Sequence, residues 1–201
     1  MEIIFATGNQ HKMIEAQKAL GESFALIMPK ELGLTEDIPE DQDTLEGNAI
    51  QKAEYLWNKF GKNCFADDTG LEVDALGGEP GVRTARYAGE EKGTDANMTK
   101  LLAELEKVEK AEGNVPRTAR FRTVVALIIN GELKTFEGVL EGEIARSRSG
   151  NEGFGYDPVF IPQGYNCTLA EITLDEKNAI SHRGKCMRSL AGYLNGLKDA
   201  H

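Results

Sequence analysis

The feature that most restricts the fold is a pair of long strand-like runs, Thr118 to Ile129 and Glu132 to Leu140, meeting at Asn130-Gly131. Asn-Gly is the strongest short hairpin signal, because both central residues of a type I′ turn need positive φ. Short apolar runs at Ile3-Ile4-Phe5-Ala6, Phe24 to Met28 and Cys64-Phe65-Ala66 read as further strands. The second is stopped by Pro29, and the third runs into Asp67-Asp68-Thr69-Gly70. Elsewhere the period is helical. Met13, Ala16 and Leu20 share one face of a helix ended by Gly21. Ala49, Ala53, Leu56 and Phe60 line a second, with Gly61 beyond and Asp43 and Glu46 spaced as a capping box at its start. Met98, Leu101, Leu102, Leu105 and Val108 form a third stripe. A last helix is predicted from near Ser181, burying Met187, Leu190, Ala191, Leu194 and Leu197. The stretches 77–89 and 147–155 read as turns and loop. Strands alternating with helices, plus one hairpin, imply an α/β protein with a mixed sheet.

At 201 residues the chain makes one domain, 1–201, or one domain with two lobes. Its net charge of −10 disfavours nucleic acid and anionic membranes as partners, so any phosphate ligand must be met by cations gathered locally. The longest aliphatic run, Val124 to Ile129, is far short of the ~20 residues that cross a bilayer. The opening Met1-Glu2 lacks the basic start of a secretory leader. Cys64, Cys167 and Cys186 are scattered and odd in number, fitting neither a disulfide framework nor paired zinc ligands. A cytoplasmic setting is the expectation.

Four segments can carry chemistry. Thr7-Gly8-Asn9-Gln10-His11-Lys12 joins a strand to a helix start, where free backbone N–H groups and Lys12 can hold an anion. It reads equally as an ordinary turn capped by Asn9, and the Gly-Lys-Ser/Thr of a Walker loop is missing. Asp67-Asp68 places adjacent carboxylates at a strand end, able to bind Mg²⁺ or to sit as a solvated acidic turn. Because strand side chains alternate, the two acids share a metal only if the chain turns there; otherwise one faces a site while the other supports the loop. Glu40, in a loop with six acids between Glu36 and Glu46, is a second possible metal ligand. Phe154-Gly155-Tyr156-Asp157 offers two aromatics and an acid, a stacking platform for a base with a reader of its edge, or core packing at a strand entry. Lys177, His182 and Arg183 gather donors near the start of the last helix, where a cation is mildly unfavourable without a ligand anion.

Taken in order, these motifs are more specific than any one of them. Thr7-Gly8-Asn9 with Lys12, Glu46-Gly47-Asn48-Ala49 with Lys52-Ala53, Ala66-Asp67-Asp68-Thr69-Gly70-Leu71, Pro80-Gly81-Val82, Ala85-Arg86-Tyr87-Ala88-Gly89, Phe154-Gly155-Tyr156-Asp157-Pro158 and Ser181-His182-Arg183-Gly184 succeed one another along nearly the whole chain. The sequence thereby closely resembles the inosine triphosphate pyrophosphatase family, the non-canonical purine nucleoside triphosphate (XTP/dITP) pyrophosphatases. It departs from the family pattern at Thr69, more often Ser, at Glu46-Gly47 for Glu-Glu, and at Pro39-Glu40 for two consecutive Glu.

The resemblance implies a long central mixed sheet flanked by helices, two lobes with the active-site cleft between them, and a homodimer. It implies Mg²⁺-dependent hydrolysis of ITP, dITP and XTP to monophosphate and pyrophosphate. By position, Thr7, Gly8, Asn9, Gln10, His11 and Lys12 would bind the triphosphate, with Lys52 a further phosphate-side residue. Asp68 would be the catalytic and metal-binding acid, Glu40 a second metal ligand, and Thr69 a substrate contact. Phe154, Gly155, Tyr156, Asp157, Lys177, His182 and Arg183 would bind nucleotide. Donors such as Arg183 would accept the 6-oxo group of hypoxanthine or xanthine and reject the 6-amino group of adenine. A Maf-type pyrophosphatase and a non-catalytic nucleotide-binding module are the rival readings.

Overall fold

A computed structural model of the chain describes residues 1–89 and 93–199, with the side chains of His11, Lys198 and Asp199 outside the description. Among the described residues, seven strands form one mixed sheet: β1 (Glu2–Phe5), β2 (Ala25–Ile27), β3 (Cys64–Val73), β4 (Pro80–Gly81), β5 (Thr118–Ile129), β6 (Glu132–Ile144) and β7 (Phe160–Pro162). Their order is β2-β1-β3-β5-β6-β7, with β4 also paired to β3. β1 runs parallel to β2 and β3, while β4 and β7 pair antiparallel with β3 and β6. The α-helices that accompany them are α1 (Gln10–Leu20), α2 (Leu45–Phe60), α3 (Thr94–Glu112), α4 (Leu174–Ile180) and α5 (His182–Asp199). The mixed α/β architecture is the one the sequence pattern requires.

The hairpin forms where Asn-Gly places it. Asn130 and Gly131 take φ of 52° and 84°, the left-handed pair a type I′ turn needs. β6 runs four residues past the predicted Leu140, to Ile144. Burial along β5 alternates from Thr118 to Arg122 and becomes continuous from Thr123 to Ile129. The aliphatic run is therefore buried on both faces, whereas the N-terminal half is wet on one.

The chain divides into two compact units. The first comprises 1–68, 123–138 and 183–201. Its core joins Ile3, Phe5 and Phe65 of β1 and β3 to Met13, Ala16 and Leu20 of α1, Val125, Leu127 and Ile129 of β5, and Met187, Leu190 and Leu194 of α5. The Phe5 and Phe65 rings stack at 4.3 Å. The second comprises 69–122 and 139–182. Its core holds Leu71 and Val73, Met98, Leu101 and Leu105 of α3, Phe121, Leu140, Tyr156 and Phe160.

Two local expectations are corrected. The cap of α2 is Thr44, whose hydroxyl accepts from Gly47 N at 2.9 Å, and not Asp43, which is exposed one residue too early. The third strand does not end before the acids: β3 is ten residues long and carries both Asp67 and Asp68 in its interior. The last helix begins beside Ser181, as expected, and a separate short helix precedes it. Thr173 caps α4, Ser181 is extended at ψ 146°, and α5 begins at His182. Lys177 thus lies in the last turn of α4, where the helix dipole favours a cation.

Candidate active site

Because β3 is unbroken at Asp67 and Asp68, the two carboxylates leave opposite faces of the strand. Each meets its own cations. Asp67 is buried, and both of its oxygens accept from Lys12 Nζ, at 2.8 and 2.9 Å. Arg183 Nε lies 3.6 Å from the same carboxylate, while its Nη1 reaches Glu15 at 3.4 Å. Burial alone would raise the Asp67 pKa, but Lys12 and Arg183 outweigh it and hold the carboxyl at about 2. Asp67 is a fixed anion.

Asp68 faces α2. Asn48 Nδ2 donates to Asp68 Oδ2 at 3.1 Å, and Lys52 Nζ approaches Oδ1 at 3.4 Å. The same ammonium donates to Glu40 Oε2 at 2.8 Å. Here burial wins: it raises the Asp68 pKa, Lys52 offsets it only in part, and the nearby Glu40 adds to the rise. For Lys52 the balance is reversed. Burial would lower its pKa, but Asp68, Asp67 and Glu40 together raise it. Asn48 and Lys52 are one helical turn apart, and both are buried beside Ala49, Ala53 and Leu56. Asn48 carries no role in the sequence reading. Its signal was there, a polar pair at i and i+4 on an otherwise apolar helix stripe.

Asp68 and Glu40 supply oxygen donors only, and both reach one ammonium. Among the described residues no cluster of three or more His, Cys, Asp or Glu suits a metal ion. The two carboxylates are hard oxygen donors, of the kind that Mg²⁺ takes together with bound waters. The turn before α1 is capped as read: Asn9 Oδ1 accepts from Lys12 N at 3.4 Å, and Thr7 Oγ1 accepts from Asn9 N at 3.1 Å. Gly8, Asn9 and Gln10 are exposed and Thr7 is half-buried, so the turn leading into α1 lies at the surface. His11 lies in α1, its side chain outside the described residues.

The second unit holds the aromatic segment. Phe154 is 66% exposed, with Lys177 Nζ 4.4 Å from its ring centre. Asp157 is buried, accepting from Phe154 N at 2.8 Å and pairing with Lys177 through the same oxygen, Oδ2. That oxygen is engaged inward, holding the loop. Tyr156 is 4% exposed and belongs to the core, its hydroxyl donating to Thr84 O at 2.8 Å. Of the two expected platform rings, only Phe154 offers a face to a ligand. Gly155 allows the loop a φ of 64°. Thr69 is half-buried on β3 beside Asp68. His182 stacks on Phe121 with ring centres 5.0 Å apart. The structure thus gathers Lys12, Asp67 and Arg183 in one cluster, Glu40, Lys52 and Asp68 in another, and Phe154, Asp157 and Lys177 in a third.

The fold is thus a mixed-sheet α/β architecture in which two neighbouring carboxylates on one strand are each matched to a cation. The chain matches the Ham1 family over residues 3–193 and belongs to that family. It is 48% identical to the dITP/XTP pyrophosphatase of Flavobacterium johnsoniae, over 98% of this chain and 100% of that protein. It is 47% identical to the dITP/XTP pyrophosphatase of Bacillus subtilis, over 96% of each. Among solved structures, the Staphylococcus aureus Ham1 protein superposes with a TM-score of 0.90 at 38% identity, covering 98% of this chain and 99% of that one. A HAM1 protein from Coxiella burnetii gives 0.91 at 38% identity, with the same coverage.

Proposed function

We propose that the protein hydrolyses non-canonical purine nucleoside triphosphates (ITP, dITP and XTP) to the monophosphate and pyrophosphate, removing deaminated purines from the nucleotide pool. The observation that carries this is the opposed environment of Asp67 and Asp68. Neighbouring carboxylates whose pKa values are driven apart divide the labour of a site. Asp67, locked as an anion, holds Lys12 and Arg183. Asp68, made more basic than an ordinary carboxylate, can accept a proton. The names of the relatives supply the substrate class.

The N–H groups of α1 and the ammonium of Lys12 bind phosphate oxygens, with Lys52 a further cation. Asp68 Oδ1 or Oδ2 orients the attacking water and receives its proton as the α–β anhydride is cleaved. Mg²⁺ bound by Asp68 and Glu40 would neutralise charge developing on the phosphates. Phe154 stacks the base, and Lys177, fixed by Asp157, brings a donor beside that ring. Arg183 and backbone N–H groups satisfy a 6-oxo group and leave a 6-amino group facing donors, the polar mismatch that separates hypoxanthine from adenine. Thr69, His182, Gly155 and Tyr156 complete the nucleotide-binding set, Tyr156 from within the core. A homodimer in a cytoplasmic setting belongs to the same reading; among the described residues no helix is long and apolar enough to cross a membrane.

The test is purified protein with Mg²⁺ and, separately, ITP, XTP, dITP, GTP and ATP, with pyrophosphate detection. Pyrophosphate release from ITP, dITP and XTP well above that from ATP, abolished by EDTA and restored by Mg²⁺, is the expected result. Orthophosphate as first product, or equal turnover of ATP and ITP, overturns it.

A further inference from the structure

The turn after β4 makes more hydrogen bonds than its exposed sequence suggests, and Thr84 is their hub. Thr84 Oγ1 accepts from Leu71 N on β3 at 2.8 Å and donates to Gly81 O at 2.6 Å. Its backbone carbonyl accepts the Tyr156 hydroxyl at 2.8 Å. The next residues are held from α3. Buried Asn97 donates to Ala85 O at 3.1 Å and accepts from Ala88 N at 2.7 Å, while Lys100 donates to Tyr87 O at 2.8 Å. One residue therefore ties the strand segment that follows Thr69 to the loop that presents Phe154 and Asp157. Tyr156 is buried in the core of the second unit, and its hydroxyl bond links the loop to Thr84. A hydroxyl that satisfies a strand amide and a turn carbonyl cannot be replaced by an apolar group of the same shape without leaving both unpaired.

We propose that Thr84 is a positioning residue for nucleotide recognition. Through Leu71 and Tyr156 it holds the Phe154–Asp157 loop in register with β3, so that the Phe154 ring and the Asp157–Lys177 pair stand ready for the base. This rests on the proposed function for the identity of the ligand, but the latch itself is a statement about the loop. Thr84 acts on affinity and base selection, and Asp68 acts on the chemical step.

The experiment compares wild type, Thr84→Val, Thr84→Ser, Tyr156→Phe and the Thr84→Val/Tyr156→Phe double variant. Steady-state kinetics use ITP and ATP, and amide hydrogen exchange is followed by mass spectrometry over residues 150–160. Thr84→Val is expected to raise KM for ITP roughly three- to ten-fold with kcat within about two-fold. Exchange over 153–157 speeds up, and Thr84→Ser returns both to wild type. Tyr156→Phe gives the same signature, and the double variant is less than additive because both act through one chain of bonds. An unchanged KM with unchanged loop exchange, or a serine variant no better than valine, overturns the proposal. So does a parallel loss of kcat and thermal stability without a KM effect, the mark of a merely structural role. If Thr84→Val does not fold, Thr84→Ser and Tyr156→Phe carry the test. If wild type fails to cleave ITP, the proposed function falls, and the exchange arm still decides the latch.

Discussion

Gly153 and Gly155 both lie in the left-handed region, at φ of 80° and 64°, yet alanine is expected to act very differently at the two. Left-handed backbone costs a non-glycine residue about 1 kcal/mol or somewhat more, and that term is common to both. A Cβ at Gly155 meets nothing within 4 Å. A Cβ at Gly153 would collide with Asp157 Oδ2 and lie 3.0 Å from its Cγ. Asp157 is 4% exposed and cannot swing into water. The oxygen displaced is the one that accepts from Phe154 N and pairs with Lys177. Each such bond to a charged group contributes about 1.5–3 kcal/mol, so Gly153→Ala costs about 4 kcal/mol or more, enough to drive the loop into another conformation. With Phe154 no longer presented, stacking worth about 1–3 kcal/mol is lost. KM for ITP should rise roughly ten- to a hundred-fold, and by only a few-fold in Gly155→Ala. Steady-state kinetics on the two variants, with circular dichroism to verify folding, make the comparison. Equal effects at the two positions, or a milder one at Gly153, would refute the reasoning.

Four further outcomes are expected. Asp68→Asn should lose roughly 10²-fold or more in kcat with its melting temperature near wild type. In the metal-free protein the Asp68 carboxyl should titrate above the ordinary ~4 of a carboxyl, because burial raises its pKa and Lys52 offsets that only in part; an NMR titration placing it at or below that value would count against this environment. Lys52→Met leaves Asp68 buried beside Glu40 without its cation and should lower stability by about 3 kcal/mol in urea at pH 7; an unchanged midpoint would show that Glu40 alone moves away and relieves the site. Burial pushes the Cys64 and Cys186 thiols up to about 12, so iodoacetamide at pH 8 should spare them in the native protein and modify half-buried Cys167. Mass spectrometry of the labelled peptides reads this directly.

Where a signal is local, the chain could be read before it was seen folded. The Asn130-Gly131 turn needs only its own φ values, and Asn9 caps α1 with its own side chain. Met13, Ala16 and Leu20 are buried because a 3.6-residue period puts them on one stripe. The misplaced cap shows the limit of such signals. Asp43 and Thr44 are both good N-cap residues, and one position of register decides which hydroxyl or carboxylate meets the helix amides. The short helix α4 was not read from the sequence, whereas the last helix starts at His182, beside the expected Ser181.

The candidate site was legible as residue types and hidden as partnerships. Sequence alone settled the mixed α/β class, the hairpin and the presence of two adjacent acids followed by Thr69-Gly70. Tertiary structure decided that Lys12 meets Asp67, 55 residues away, while Asp68 meets Lys52 and Asn48 of α2. It also turned Tyr156 inward onto Thr84, 72 residues distant, and left Phe154 facing solvent. A strand's period of two guarantees that neighbouring acids part company, but which cation waits on each face depends on helices packed there from remote stretches of chain. Local periodicity carries no record of that packing.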